Sequence, residues 1–172
     1  GEVSVREALQ LSLNVPAVRL LDAVLPVRLI GRLKRGGVSV DMPEGGAPGL
    51  AIGLGGAGVS LRDLVQLYTA FPNEGHAVPL TDGLNEPALL DAPILSRNAA
   101  WQTTDILSDV AAPADAPRLK IAYKTGTSYG YRDAWSVGFD GHYVLGVWVG
   151  RADAAPSPGI SGIGTAAPIL FE

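Results

Sequence analysis

Leu119-Lys120-Ile121-Ala122-Tyr123-Lys124-Thr125-Gly126-Thr127-Ser128 is the stretch on which the fold turns. Its first half ends in a β-branched and aromatic run, and its second half sets a cation and two hydroxyls at the tip of the strand which that run predicts. Such an edge suits an anion. The next two runs, Ala134 to Asp140 and Tyr143 to Gly150, are again rich in β-branched and aromatic residues. Turns at Gly130 and at Asp140-Gly141 separate the three, and Asp-Gly between two such runs predicts a hairpin. The final third of the chain therefore reads as a three-stranded antiparallel sheet.

Working back towards the start, the period changes to that of helices. Ser4 caps a short helix over 4 to 11, with Glu7 three residues on. Asn14 reads as the cap of a second helix, with Pro16 tolerated in its first turn. Val27 to Lys34 forms a third, ended by Gly36-Gly37. The Gly- and Pro-rich stretch from Gly36 to Gly58 reads as an irregular loop. Ser60 and Ser96 cap two more helices, the second with Ala100, Trp101, Ile106, Leu107 and Val110 as its core side. His76 to Pro93 reads as extended and rich in turns, and Ala166 to Glu172 as a helix that stops short. The fold class is α/β in the α+β sense, an antiparallel sheet packed with helices.

The 172 residues, 47% of them apolar, suffice for one core. A net charge of -4, with no basic block, argues against nucleic acid as a partner. Without cysteine there is neither a disulfide nor a thiolate metal site. His76 and His142 have no partner at metal-ligand spacing, so neither metal nor cofactor is expected. No apolar run reaches the roughly 18 to 20 residues of a membrane span.

Two short patterns carry chemistry. Ser12-Leu13-Asn14 sets a hydroxyl and a carboxamide two residues apart before a helix, and Lys124-Thr125-Gly126 ends a strand. Alone, the first is also a capping site and the second an ordinary strand end. Together they are two of the three signatures of serine acyl-enzymes that bind penicillin. The third, Ser-x-x-Lys, is absent: Lys34, Lys120 and Lys124 are preceded at three positions by Gly31, Pro117 and Ile121. Gly53-Leu54-Gly55-Gly56-Ala57-Gly58 also fits G-x-G-x-x-G, and a nucleotide-binding domain would require a buried strand before it. Asp133, near the site edge, reads as a structural hydrogen-bonding group, and the three tryptophans as core aromatics, with Trp135 also placed to line a cleft.

Ser12 to Ala17 and Tyr123 to Ser128, with Leu54 to Leu61, Arg132 to Phe139 and Gly146 to Arg151 between and beyond them, resemble the C-terminal part of a penicillin-binding transpeptidase domain. Gly126 to Trp135 and Ala166 to Glu172 look most like the type 1C branch of the class A proteins. The resemblance implies part of a DD-peptidase/β-lactamase-like fold, residues 1–172 forming the C-terminal portion of one domain and no complete second domain. It implies that Ser12 relays a proton and that Lys124 holds positive charge beside it. It also implies that Asn14 binds the substrate amide, and that Thr125, Gly126 and Thr127 bind the terminal carboxylate and the oxyanion. The partners it implies are peptidoglycan stem peptides ending in D-alanyl-D-alanine, and β-lactams. The place it implies is the periplasmic side of the bacterial inner membrane. The nucleophile and the first strands of the sheet would lie upstream of Gly1, leaving this segment inactive alone. The last strand would then need the upstream segment, or a second copy, to cover its edge. A cell-wall binding or structural module of the same fold, without turnover, is the second reading.

Overall fold

The computed structural model describes residues 1–42, 46–82, 89–117 and 119–172. Positions 43–45 of the expected Gly36 to Gly58 loop and 83–88 of the expected extended segment lie outside them. Three helices come first, α1 (Val5–Gln10), α2 (Asn14–Val24) and α3 (Pro26–Arg35), followed by a 3-10 turn over Leu50–Leu54, then α4 (Leu61–Tyr68) and α5 (Arg97–Ser108). Strands β1 (Ala122–Thr127), β2 (Asp133–Phe139) and β3 (Val144–Gly150) follow, and a π-turn over Gly162–Ala166 leads into α6 (Ala167–Leu170).

The sheet is antiparallel in the order β1-β2-β3, with Lys124 opposite Val137 and Gly138 opposite Leu145. Because side chains alternate, its two faces bury different sets. Tyr123 packs with Ala167, Leu170 and Phe171 of the C-terminal helix on one face. On the other, Ala122 and Phe139 pack with Leu107 of α5, and Tyr68 and Phe71 close over them. The Phe71 and Phe139 rings stack 5.3 Å apart. The layers are thus helix, sheet, helix.

Serine caps set the starts of α1, α4 and α5: the hydroxyls of Ser4, Ser60 and Ser96 accept from the N–H of Glu7, Asp63 and Ala99. The hairpin between β2 and β3 is held by the Asp140 carboxylate, which accepts from the N–H groups of His142 and Tyr143, each at 2.9 Å. Gly141, at φ 97°, makes the bend.

Several expectations are corrected. Asn14 is the first residue of α2, and Leu13 stands at the cap without a side-chain bond. The Gly36 to Gly58 stretch contains the 3-10 turn and a bridge between Asp41 and Gly58, so it is ordered by more than irregular turns. Leu50 and Ile52 lie in that turn, not in a strand, which removes the strand a dinucleotide fold needs before its glycines. The glycines serve packing: a Cβ on Gly56 would meet Ala51 at 2.8 Å, and one on Gly53 would meet Leu21 at 3.1 Å. Trp101 is 68% exposed, because it is rotated about 100° from the buried line of Ala100 and Leu107. Trp148 is likewise no core residue, being 37% exposed.

Candidate active site

The turn between α1 and α2 is built to present Ser12. α1 ends in a Schellman motif, in which the Leu13 N–H bonds the Ala8 carbonyl at 2.9 Å and the Ser12 N–H bonds the Leu9 carbonyl at 3.3 Å. The residue that follows the cap Leu11 must be left-handed in such a motif, and Ser12 is, at φ 54°. Glycine is the usual occupant, since a Cβ in that conformation costs roughly 1–2 kcal/mol. A serine there sacrifices backbone energy and offers a hydroxyl in return. α1 is itself held to α5 through Arg6, which bonds Asp109 at 2.7 Å and also pairs with Asp105. Gln10 adds a bond to the Ile106 carbonyl at 3.1 Å.

Lys124 comes from the opposite side of the cleft. Its ammonium donates to the Ser12 hydroxyl, 112 residues away in sequence, and to the Thr125 carbonyl at 2.8 Å. Partial burial pushes its pKa below the ordinary lysine value, because desolvation penalises the charged form. Among the described residues no carboxylate bonds it. The bond to Thr125 marks that carbonyl as facing away from β2. Since direction alternates along an antiparallel strand, the N–H of Thr127, two residues on, faces the cleft as well.

Asn14 opens α2 with its side chain exposed in the cleft and, among the described residues, without a hydrogen-bond partner. Thr127 accepts a bond from the Gly162 N–H at 3.0 Å, which leaves its hydroxyl proton to donate outward. Gly162 has to be glycine to come so close, because a Cβ would stand 2.6 Å from the Gly126 carbonyl oxygen. A cleft of ≈ 850 Å³ gathers Ser12, Asn14, Lys124, Thr125, Gly126 and Thr127, all six residues that the sequence put forward. Its remaining walls include the 3-10 turn, Tyr68 and Trp135.

Asp133 is engaged structurally: its carboxylate accepts from the Trp148 indole N–H at 2.9 Å, and its N–H donates to the Ser128 hydroxyl at 2.9 Å. Two contributors escaped the sequence. Gly162 has no local signal in a Gly- and Ser-rich tail. Tyr129 lies on the turn that Gly130 announces, yet nothing in the residue type says that it lines the cleft. Among the described residues no cluster of three His, Asp or Glu gathers to hold a metal, and no helix is long and apolar enough to cross a membrane.

No protein-family model matches the chain. It is 44% identical over 176 residues to penicillin-binding protein 1C of Escherichia coli, covering 100% of this chain and 23% of that protein. It is 30% identical over 175 residues to penicillin-binding protein 1B of Vibrio cholerae, covering 91% of this chain and 22% of the relative. The chain therefore spans about a quarter of the length of these curated relatives. Among solved structures, penicillin-binding protein 1A of Haemophilus influenzae superposes with a TM-score of 0.79 at 18% identity, over 98% of this chain and 33% of that one. Penicillin-binding protein A of M. tuberculosis, solved as an imipenem acyl-enzyme complex, gives 0.74 at 20% identity over 98% and 46%. This chain's helices and three-stranded antiparallel sheet match the fold of both, that of penicillin-binding transpeptidase domains. By sequence along its length and by fold, the chain belongs to the penicillin-binding proteins, as the counterpart of one segment of them.

Proposed function

We propose that this chain is the C-terminal portion of a D-alanyl-D-alanine transpeptidase domain and supplies the part of its acyl-transfer site that lies outside the Ser-x-x-Lys motif of the nucleophile. The observation that carries the reading is the bond from Lys124 to Ser12, which unites two elements 112 residues apart at one cleft. A serine alcohol attacks an amide only when a neighbouring group takes its proton. The Ser12 hydroxyl, accepting from Lys124, keeps its own proton free to pass to the departing amine. Lys124, with a lowered pKa, exchanges a proton with it more readily than an ordinary lysine does.

The substrate is a stem peptide ending in a carboxylate. Lys124 and the hydroxyls of Thr125 and Thr127 meet that carboxylate, Gly126 lets the peptide lie close to β1, and the Asn14 amide bonds the peptide backbone. The Thr127 N–H faces the position where the carbonyl oxygen becomes an oxyanion, a donor worth roughly 2.7–4 kcal/mol in such chemistry. The nucleophilic serine comes from a segment of the parent protein outside these residues, and the acceptor amine of a second peptide resolves the acyl-enzyme. The β-lactams occupy the same cleft, and the site works on the periplasmic side of the inner membrane.

The test is the acylation rate of the parent protein by a fluorescent penicillin. Lys124→Ala and Asn14→Ala should each slow it by about 10²-fold, the ordinary scale for one positioned acid–base or hydrogen-bonding group. Rates within threefold of the unaltered protein would overturn the assignment.

A further inference from the structure

Tyr129 presents a contradiction between its exposure and its support. Its side chain is 96% exposed, as free as a side chain in an unfolded segment, yet it lines the cleft beside Lys124 to Ser128. The turn that carries it is held on every side. The Ser128 N–H bonds the Asp133 carbonyl at 3.0 Å, and the Ser128 hydroxyl receives the Asp133 N–H at 2.9 Å. The Tyr131 N–H closes the turn on the Ser128 carbonyl at 3.2 Å, with Gly130 at φ 76° in the third position, as a type II turn requires. Tyr131 itself is left-handed at φ 55°, a conformation unfavourable for a bulky residue, and its carbonyl is pinned by the Ser157 N–H at 2.8 Å. A tail segment from beyond the sheet thus locks the turn in place. A wet aromatic ring on a fixed mount is a contact surface waiting for a ligand, since little ordering remains to oppose binding.

We propose that Tyr129 is a specificity-determining residue, packing on the acyl-donor side of the substrate and favouring donors that carry a flat or apolar group just ahead of the scissile bond. The inference rests on the site reading above, which fixes the direction of the donor. Its carboxylate lies at Lys124 and Thr125, and its scissile carbonyl lies at the Thr127 N–H. The acyl portion then continues past Thr127 towards the turn. At about 3.3 Å per extended residue, Tyr129 stands about 7 Å further on, opposite the group that acylates the donor's penultimate D-alanine. Stacking or edge contact of an aromatic group there buries apolar surface on both partners.

The test uses the parent protein that contains this segment, with N-acetyl-D-alanyl-D-alanine and N-phenylacetyl-D-alanyl-D-alanine competing against its acylation by a fluorescent penicillin. Tyr129→Ala should raise the apparent inhibition constant of the phenylacetyl peptide about three- to tenfold and that of the acetyl peptide less than twofold, while Tyr129→Phe binds both as the unaltered protein does. Lys124→Gln should weaken both peptides alike, and a melting curve verifies that each variant is folded. Loss of both peptides on Lys124→Gln, with Tyr129→Ala weakening neither or both equally, would leave the site standing and overturn the role of Tyr129. No competition by either peptide in the unaltered protein, or no effect of Lys124→Gln, would overturn the site reading and this inference with it.

Discussion

Replacing Ser12 by glycine and by alanine separates what this position costs the backbone from what it gives the site. Both substitutions remove the hydroxyl that accepts from Lys124, so that loss cancels when the two variants are compared. The backbone term does not cancel. At φ 54°, in the left-handed slot of a Schellman turn, alanine suffers the same Cβ crowding as serine, roughly 1–2 kcal/mol, and glycine suffers none. Glycine's greater freedom in the unfolded chain returns about 0.5–1 kcal/mol of that advantage. The net expectation is that Ser12→Gly is more stable than Ser12→Ala by about 0.5–1 kcal/mol, or roughly 1–4 °C in Tm for a chain of this size. Differential scanning calorimetry on the two variants reads the difference. In the parent protein both should acylate equally slowly, because neither has the hydroxyl. An alanine variant as stable as the glycine variant would refute the strain argument. A glycine variant that acylates at the unaltered rate would refute the claim that the strained residue is retained for its hydroxyl.

Gly162→Ala should destabilise by about 1–3 kcal/mol in urea denaturation, because its Cβ would meet the Gly126 carbonyl oxygen at 2.6 Å and backbone cannot step aside as a side chain can. β3 has no partner on its outer side among the described residues and shows Leu145 54% exposed, so Leu145→Lys should raise the concentration at which the chain remains monomeric in sedimentation velocity. The pKa of Lys124 is lower folded than unfolded, so between the two values the unfolded chain binds more protons and stability rises with pH. The gain runs from the depressed folded value up to the ordinary lysine value and is absent below it. Lys124→Gln should flatten that portion of the Tm-against-pH curve, and an unchanged slope would contradict the burial of the ammonium.

Much of the fold was legible because its signals are local. The three strand runs, the Asp140-Gly141 bend and the caps at Ser4, Ser60 and Ser96 each follow from a few adjacent residues, and all are found. Asn14 was misread because the same residue type serves as a helix cap and as a free amide. What decided between them was the preceding turn, whose left-handed residue is a serine and not the glycine that would have announced it. The 3-10 turn was hidden by glycines that serve close packing on α2 and not loop freedom. Trp101 reads as core with its apolar neighbours Ala100, Ile106, Leu107 and Val110, although its place on the helix turns it away from the buried stripe. The meeting of Ser12 with Lys124 lies beyond any local rule, since 112 residues separate them. It was reached through the joint presence of two short patterns, each ambiguous alone. Tyr129 and Gly162 were out of reach, because one acts by where a turn points and the other by a backbone contact.

The most direct measurement of the central claim is intact-mass spectrometry after incubation with a labelled penicillin, on this chain alone and on its mixture with the segment that precedes its counterpart in the parent protein. The account predicts one adduct, found only in the mixture and located on a serine of the added segment. An adduct on this chain alone, or none in a mixture shown to be folded, would contradict it.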